Sequence, residues 1–331
     1  MKNEYSLFAK NIYLNMNKLI SKCKPRKMKS ITRLLFPVLG ILLLVTSCLP
    51  KDDSSDKIAE EQRLLKQYLE NNNITVDPTD DGLYFISQSD SVADTVQPVM
   101  GDFVLINYTT RLIDGQVVGT SEIETAKAKN VYNPSVLYGP FKFKLGTEIT
   151  GVNEGISMMH EGEKARLIIP SDLAYGSFSV GKIPSYSTLI FDVDLLKVIK
   201  DPVAYENEQL KKYVADNNLQ PDTTASGLLF VRTKDGEGSY PANGDYVKIK
   251  YVGKLLDGRV FDSTSTTTFN FTVGFNQVIK GMDEAVKLLK PGGKATFIMP
   301  WDIAYGTSGQ GQIPPYTTLV FDLELYSVGS K

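Results

Sequence analysis

Past residue 48 the chain has no cysteine, and its 331 residues include one histidine and one tryptophan. Cys23 and Cys48 both fall near the N-terminus, so the body can form no disulfide, thiolate metal site or cysteine nucleophile. His160 stands alone beside Glu161 and Gly162, where a solvated turn residue is expected, and a histidine triad or cluster has no second imidazole to draw on. Cofactor chemistry that needs such ligands is therefore not expected. No apolar run reaches the ~20 residues of a membrane-spanning helix; Leu34 to Val45 comes nearest. Positive charge is also scarce in the body. Residues 1–47 hold nine of the 36 Lys and Arg and one of the 38 acids, which leaves 27 basic against 37 acidic residues. An acidic body has no electrostatic reason to seek nucleic acid.

The N-terminal segment has its own pattern. Lys29 and Arg33 precede the apolar run LLFPVLGILLLV, and Thr46-Ser47-Cys48 follow it. A basic region, a short apolar core and small residues describe a secretory leader. Val45-Thr46-Ser47-Cys48 resembles a bacterial lipobox, which implies lipidation of Cys48 and a membrane anchor; an uncleaved signal anchor is the alternative. Met28 would start a leader of ordinary length, making residues 1–27 an over-extended gene start. The expected divisions are a leader over 1–48, a polar tether over 49–57, and two domains over 58–200 and 201–331. The acidic stretch behind Cys48 resembles surface-export signals of some Bacteroidetes lipoproteins, with a plain solvated linker as the other reading.

Two domains are expected because the body repeats itself. Gly82-Leu83-Tyr84-Phe85-Ile86 recurs as Gly227-Leu228-Leu229-Phe230-Val231, Asp114-Gly115 as Asp257-Gly258, Phe141-Lys142-Phe143 as Phe269-Asn270-Phe271, and Ala174-Tyr175-Gly176 as Ala304-Tyr305-Gly306. The offset falls from 143 to 128 between Ser121 and Phe141, so the first copy carries a 15-residue insertion there. Each copy opens with an amphipathic helix: Ile58, Leu64, Leu65, Tyr68 and Leu69 in the first, Tyr205, Leu210, Tyr213 and Val214 in the second. Both helices run into asparagine pairs that tolerate a left-handed cap. Each is expected to pack on its own domain or to link the two.

In the second copy Val247, Ile249 and Tyr251 alternate along a strand, Asp257-Gly258 makes a turn, and Phe269, Phe271 and Val273 alternate again. Ile279, Met282, Val286 and Leu289 take helical spacing up to Pro291-Gly292-Gly293, and Leu319, Phe321, Leu323 and Leu325 share a face of the last strand. One short helix against an antiparallel sheet is an α+β domain.

YVGKLLDGRVFDS, FNFTVGFNQVIKGMDEAV, AYGTSGQGQIPP and TTLVFDLEL resemble the FKBP family in order and spacing, over about residues 243–328. INYTTRLIDG, FKFKLG, DLAYG and KIPSYSTLIFDVDL resemble it over roughly 100–199. The resemblance implies two curved antiparallel sheets, each wrapped around a short helix, and peptidyl-prolyl isomerisation without a cofactor. It places Tyr251, Phe261, Phe269, Val278, Ile279, Met282, Tyr305, Ile313 and Phe321 around the proline. It gives Asp262 a rim position beside the twisting amide, and lets the Tyr305 hydroxyl and the Ile279 N–H donate to substrate carbonyls. Met282 stands where the family has tryptophan, so a softer floor and altered affinity for macrolide inhibitors are implied. Trp301 is expected to pack.

In the first copy Tyr108, Phe141, Tyr175, Ile183 and Phe191 match, but Val118-Gly119 replace the pair Phe261-Asp262 and Val152 replaces the floor residue. The pocket is thus degenerate, and the insertion, with Tyr132, Pro134 and Tyr138, would form a flap. The implied partners are proline-containing unfolded or nascent envelope proteins, at an outer membrane facing the periplasm or at the surface. A non-catalytic chaperone or adhesion module, or a scaffold in a motility or secretion machine, remains the alternative.

Overall fold

The computed structural model describes residues 53–89, 95–264 and 266–329. The leader, Cys48 and the first part of the tether lie outside the described residues. Among those described, no helix is long and apolar enough to cross a membrane.

The first copy begins with helix α1 (Asp53–Asn71), which therefore takes in the last residues of the stretch read as tether. Their polarity is compatible with an exposed helical turn, so composition gave no warning. Strands β1 (Tyr84–Ser87), β2 (Phe103–Leu112) and β3 (Val117–Thr120) follow. The insertion supplies a short helix α2 (Ile123–Ala128). Then come β4 (Phe141–Lys144), helix α3 (Thr150–Ser157), β5 (Lys164–Ile169) and β6 (Leu189–Ile199). The sheet order is β1-β5-β6-β2-β3, with β4 pairing the other end of β2. All of these pairings are antiparallel.

The second copy repeats the plan. Helix α4 (Pro202–Asp216) is followed by β7 (Asp222–Thr223), β8 (Leu229–Lys234), β9 (Tyr246–Leu255), β10 (Val260–Ser263) and β11 (Phe269–Thr272). Helix α5 (Lys280–Lys287), β12 (Lys294–Met299) and β13 (Leu319–Gly329) complete it. The order β10-β9-β13-β12-β8-β7, with β11 on β9, is the first sheet with β7 added at its edge. Alternation sets the layers: Val247 and Ile249 of β9 and Leu319, Phe321, Leu323 and Leu325 of β13 are buried against Met282, Ala285 and Val286 of α5. The first core repeats this with Val152 and Ile156 of α3 under Leu167, Phe191, Val193 and Leu195. Asn73 and Asn218 adopt φ of 52° just past α1 and α4, the left-handed caps expected there.

The opening helices dock by a route that hydropathy does not show. Ile58 is 39% exposed, whereas Glu61 on the same helix is buried. Glu61 accepts from Ser171 N at 2.7 Å, Ser171 Oγ at 2.6 Å and Thr188 Oγ1 at 2.8 Å, which pins α1 to its own domain. Glu206, its counterpart on α4, is also buried and accepts from Thr318 N at 3.1 Å. Thr188 and Thr318 occupy equivalent positions 130 residues apart.

Glu206 has a second partner. Lys142 Nζ, from β4 of the first domain, donates to its Oε1 at 2.5 Å and to the Tyr316 carbonyl at 2.9 Å. Burial lowers the Lys142 ammonium, and Glu206 opposes that shift. Nearby, Phe103 packs edge-on against Tyr316 at 5.7 Å. The insertion reaches across as well: Leu137 N donates to Gln312 Oε1 at 2.5 Å, and Gln312 Nε2 donates to the Ser135 carbonyl. Leu137 packs on the second core, and Gly139 lies so close to Arg259 that a Cβ there would meet the Arg259 Cδ at 2.7 Å. The insertion, read from sequence as a flap over the first cleft, thus serves as a contact between domains.

Candidate functional site: two unequal clefts

In the second domain, β9 and β13 run side by side, and their register sets Phe321 against Gly253 and Leu323 against Tyr251. Strand β10 turns back at Asp257-Gly258, where Gly258 takes a φ of 87° that favours glycine. This pairs Asp262 with Gly253 and brings Phe261 against Phe321. Gly253 makes room for the rings: an added Cβ would sit 2.7 Å from the Phe261 Cζ and 2.9 Å from the Phe321 Cε1. Gly253→Ala is therefore expected to displace the Phe261 ring and lower isomerase turnover by about tenfold, since a displacement near 1 Å at a reacting centre can cost more. Peptide cis/trans exchange measures this.

The aromatic wall has defined geometry. Phe261 meets Phe321 edge-on at 5.6 Å, Tyr251 meets Phe321 at 5.7 Å, and Tyr251 meets Phe269 at 6.2 Å. Met282 and Ile313 are buried in the second core, and Val278, Ile279 and Tyr305 pack against that core. At the rim the Tyr251 hydroxyl donates to Asp262 Oδ2 at 2.5 Å, while Asp262 Oδ1 accepts from Ser263 N at 2.8 Å. Burial raises the Tyr251 phenol well above its ordinary value, and the Asp262 hydrogen bond and charge add to the shift. Tyr305 is raised by burial and then by Asp262, so this carboxylate acts on both phenols. Both remain neutral donors at physiological pH. Ile279 precedes α5 in extended conformation with φ −61° and ψ 152°, its carbonyl already taken by Met282 N and Asp283 N. Its N–H donates to no acceptor among the described residues. Trp301 packs 4.9 Å from Tyr316, outside this group.

The first cleft keeps the platform and changes the wall. Tyr108 stacks on Phe191 at 5.3 Å and meets Phe141 at 6.2 Å, with Tyr175 and Ile183 packed on the same core. Gly119 presents no side chain in place of Asp262, and a Cβ there would still be 3.9 Å from the Tyr108 ring. A carboxyl is nevertheless present, on another element. Glu148, just before α3, occupies the position of Val278. Burial pushes its carboxyl up to about 7. Tyr108 and Tyr175 are each pushed up to about 12, by burial first and by Glu148 second. Sequence reading did not single out Glu148. Its pairing with Val278 across the repeat was the signal available.

Comparison with known proteins identifies the family. The family described as FKBP-type peptidyl-prolyl cis-trans isomerase matches residues 94–196 and 237–326. The probable FKBP-type peptidyl-prolyl cis-trans isomerase FkpA of Neisseria meningitidis is 45% identical over 122 residues, covering 37% of this chain and 44% of that protein. Peptidyl-prolyl cis-trans isomerase FKBP10 of Mus musculus is 34% identical over 233 residues, 69% of this chain and 35% of that one. The crystal structure of FkpA from Escherichia coli shares 34% identity at a TM-score of 0.36, covering 39% of this chain and 61% of that one. The chain spans less than half the length of these two sequence relatives. With the family domain present twice, this chain belongs to the FKBP-type peptidyl-prolyl cis-trans isomerases.

Proposed function

We infer that the chain catalyses cis/trans isomerisation of Xaa-Pro bonds, chiefly in its second cleft, as a folding assistant held at the bacterial cell envelope by a lipid on Cys48. The observation that carries this reading is the group of Tyr251, Phe261, Asp262 and Tyr305 over an apolar floor. Isomerisation crosses a barrier of roughly 18–20 kcal/mol and breaks no covalent bond. Twisting the amide removes resonance and reduces its dipole. An apolar pocket is therefore a better medium for the twisted state than for the planar one. The Tyr305 hydroxyl and the Ile279 N–H hold the flanking carbonyls, and Asp262 supplies a fixed charge near the rotating group.

The test is Xaa-Pro exchange in a short peptide with residues 53–331, which include every described element. Asp262→Ala and Tyr305→Phe should each lower turnover by about tenfold, the equivalent of one hydrogen bond or charge contact at ~1.4 kcal/mol. A folded parent that fails to accelerate exchange would overturn the reading and favour client binding alone. Macrolide inhibitors are expected to bind the second cleft with an affinity altered by Met282, whose flexible side chain replaces a rigid floor.

The first domain serves binding rather than turnover, a reading favoured by Val118-Gly119 where an aromatic and a carboxylate would stand. In the full body, Phe261→Ala with Asp262→Ala should leave less than about a tenth of parent turnover. Full turnover in that double variant would place catalysis in the first cleft. The clients are proline-containing unfolded or nascent envelope proteins.

A further inference from the structure

The two clefts hold their carboxylates differently. Asp262 is exposed at the rim and already engaged by the Tyr251 hydroxyl and Ser263 N. Glu148 stands on another element, just before α3, and is only partly exposed. Among the described residues no cation lies within salt-bridge distance of its carboxyl and no donor bonds to it. Lys182, the basic residue beside the cleft's Ile183, is committed to the Asn130 carbonyl at 3.1 Å. Its neighbour Ile149 packs on the same core as Tyr108, Tyr175 and Ile183, which puts Glu148 beside these cleft residues, and its charge raises both phenols. Phe141, 40% exposed, stands at the Tyr108 edge.

The geometry points to the first cleft as a docking site for a lysine or arginine side chain of an extended client, with Glu148 as its counter-ion and Tyr108 and Phe141 as aromatic walls. The inference rests on the reading of this cleft as a chain-binding site. A carboxylate removed from water is disfavoured until a cation joins it. Aromatic faces attract the same cation. The aliphatic stem of lysine or arginine can lie along apolar side chains such as Ile183 while its charged end reaches the carboxyl. A client held here by a basic residue would leave its prolines free for the second cleft on the same chain. The second cleft, with aliphatic Val278 at the equivalent position, has no reason for this preference.

The test is methyl NMR of residues 53–331 with labelled isoleucine, in which Ile183 reports the first cleft and Ile313 the second. The probes are acetyl-Ala-Lys-Pro-Lys-Ala amide and its norleucine counterpart. At the Ile183 methyl the lysine peptide should bind about tenfold tighter than the norleucine peptide, and Glu148→Gln should reduce that preference to about twofold or less. The Ile313 methyl should show no comparable preference. Equal affinity of the two peptides at Ile183, retention of the preference in Glu148→Gln, or no shift at Ile183 with either peptide would each overturn the inference. Shifts at Ile313 and turnover are separate readouts, so failure of this inference does not imply failure of the isomerase reading.

Discussion

Glu206→Ala is expected to lower stability by about 3–5 kcal/mol, the range for removing one partner of a buried ion pair. Both side chains of the pair are nearly inaccessible, at 8% for Lys142 and 6% for Glu206. The substitution leaves Lys142 with the Tyr316 carbonyl alone and removes the acceptor of Thr318 N. Lys142 belongs to the first domain and Glu206 to the second, so the pair also couples them. Urea unfolding of the parent should therefore be closer to one transition, and the variant should separate into two. Glu61→Ala is the informative companion. It removes the equivalent helix anchor, but with no cation to strand and the link between domains kept, so the loss should be smaller, about 1–3 kcal/mol, without separation into two transitions. Lys142→Met combined with Glu206→Met should recover most of the loss, because an apolar pair of similar volume carries no desolvation cost. A Glu206→Ala variant that unfolds at the parent midpoint would show that the pair contributes nothing.

How legible these features were depends on how local their causes are. β9, β11, α5 and β13 were readable because alternation and helical spacing reflect which face is buried: the second core buries Val247, Ile249, Phe271, Val273, Met282, Val286, Leu319, Phe321, Leu323 and Leu325, although Phe269 at the start of β11 is 40% exposed. The second cleft was readable because its wall comes from four contiguous motifs, each with its own spacing. The difference between the two clefts at Val118-Gly119 was readable by the same comparison of copies. The two buried acids were not. Glu61 and Glu206 sit in charge-rich helices, where a carboxylate looks like any solvated residue. Only the fold brings Ser171 and Thr188, or Thr318 and Lys142, to meet them. The reach of the insertion onto Gln312 was hidden for a related reason, since nothing local in Ser135-Val136-Leu137 names a partner 175 residues away. Glu148 is an intermediate case: its identity was in plain view, but its role depends on the fold bringing the start of α3 to the core that Tyr108 and Tyr175 share.

Glu148→Val, which installs the residue of the second copy, is expected to stabilise the first domain by about 1–3 kcal/mol at pH 8 and by little at pH 4. The folded carboxyl ionises at about 7, against an ordinary value of 4.5. Between those values the folded state holds a proton that the unfolded state has released. Parent stability therefore falls as pH rises from about 4.5 to about 7, and the full penalty persists above that. At 1.36 kcal/mol per pH unit the ceiling is ~3 kcal/mol, reduced by whatever water reaches the carboxyl. In the valine variant, and in Glu148→Gln, this contribution is absent, so the difference curve against parent should rise through the same window and then level off. Urea midpoints at pH 4, 6 and 8 measure it, and a flat difference curve would mean that the carboxyl ionises normally. The same substitution that stabilises the domain should abolish its preference for the lysine peptide. An acid that weakens its own domain at neutral pH is what a site looks like when its counter-ion arrives with the client.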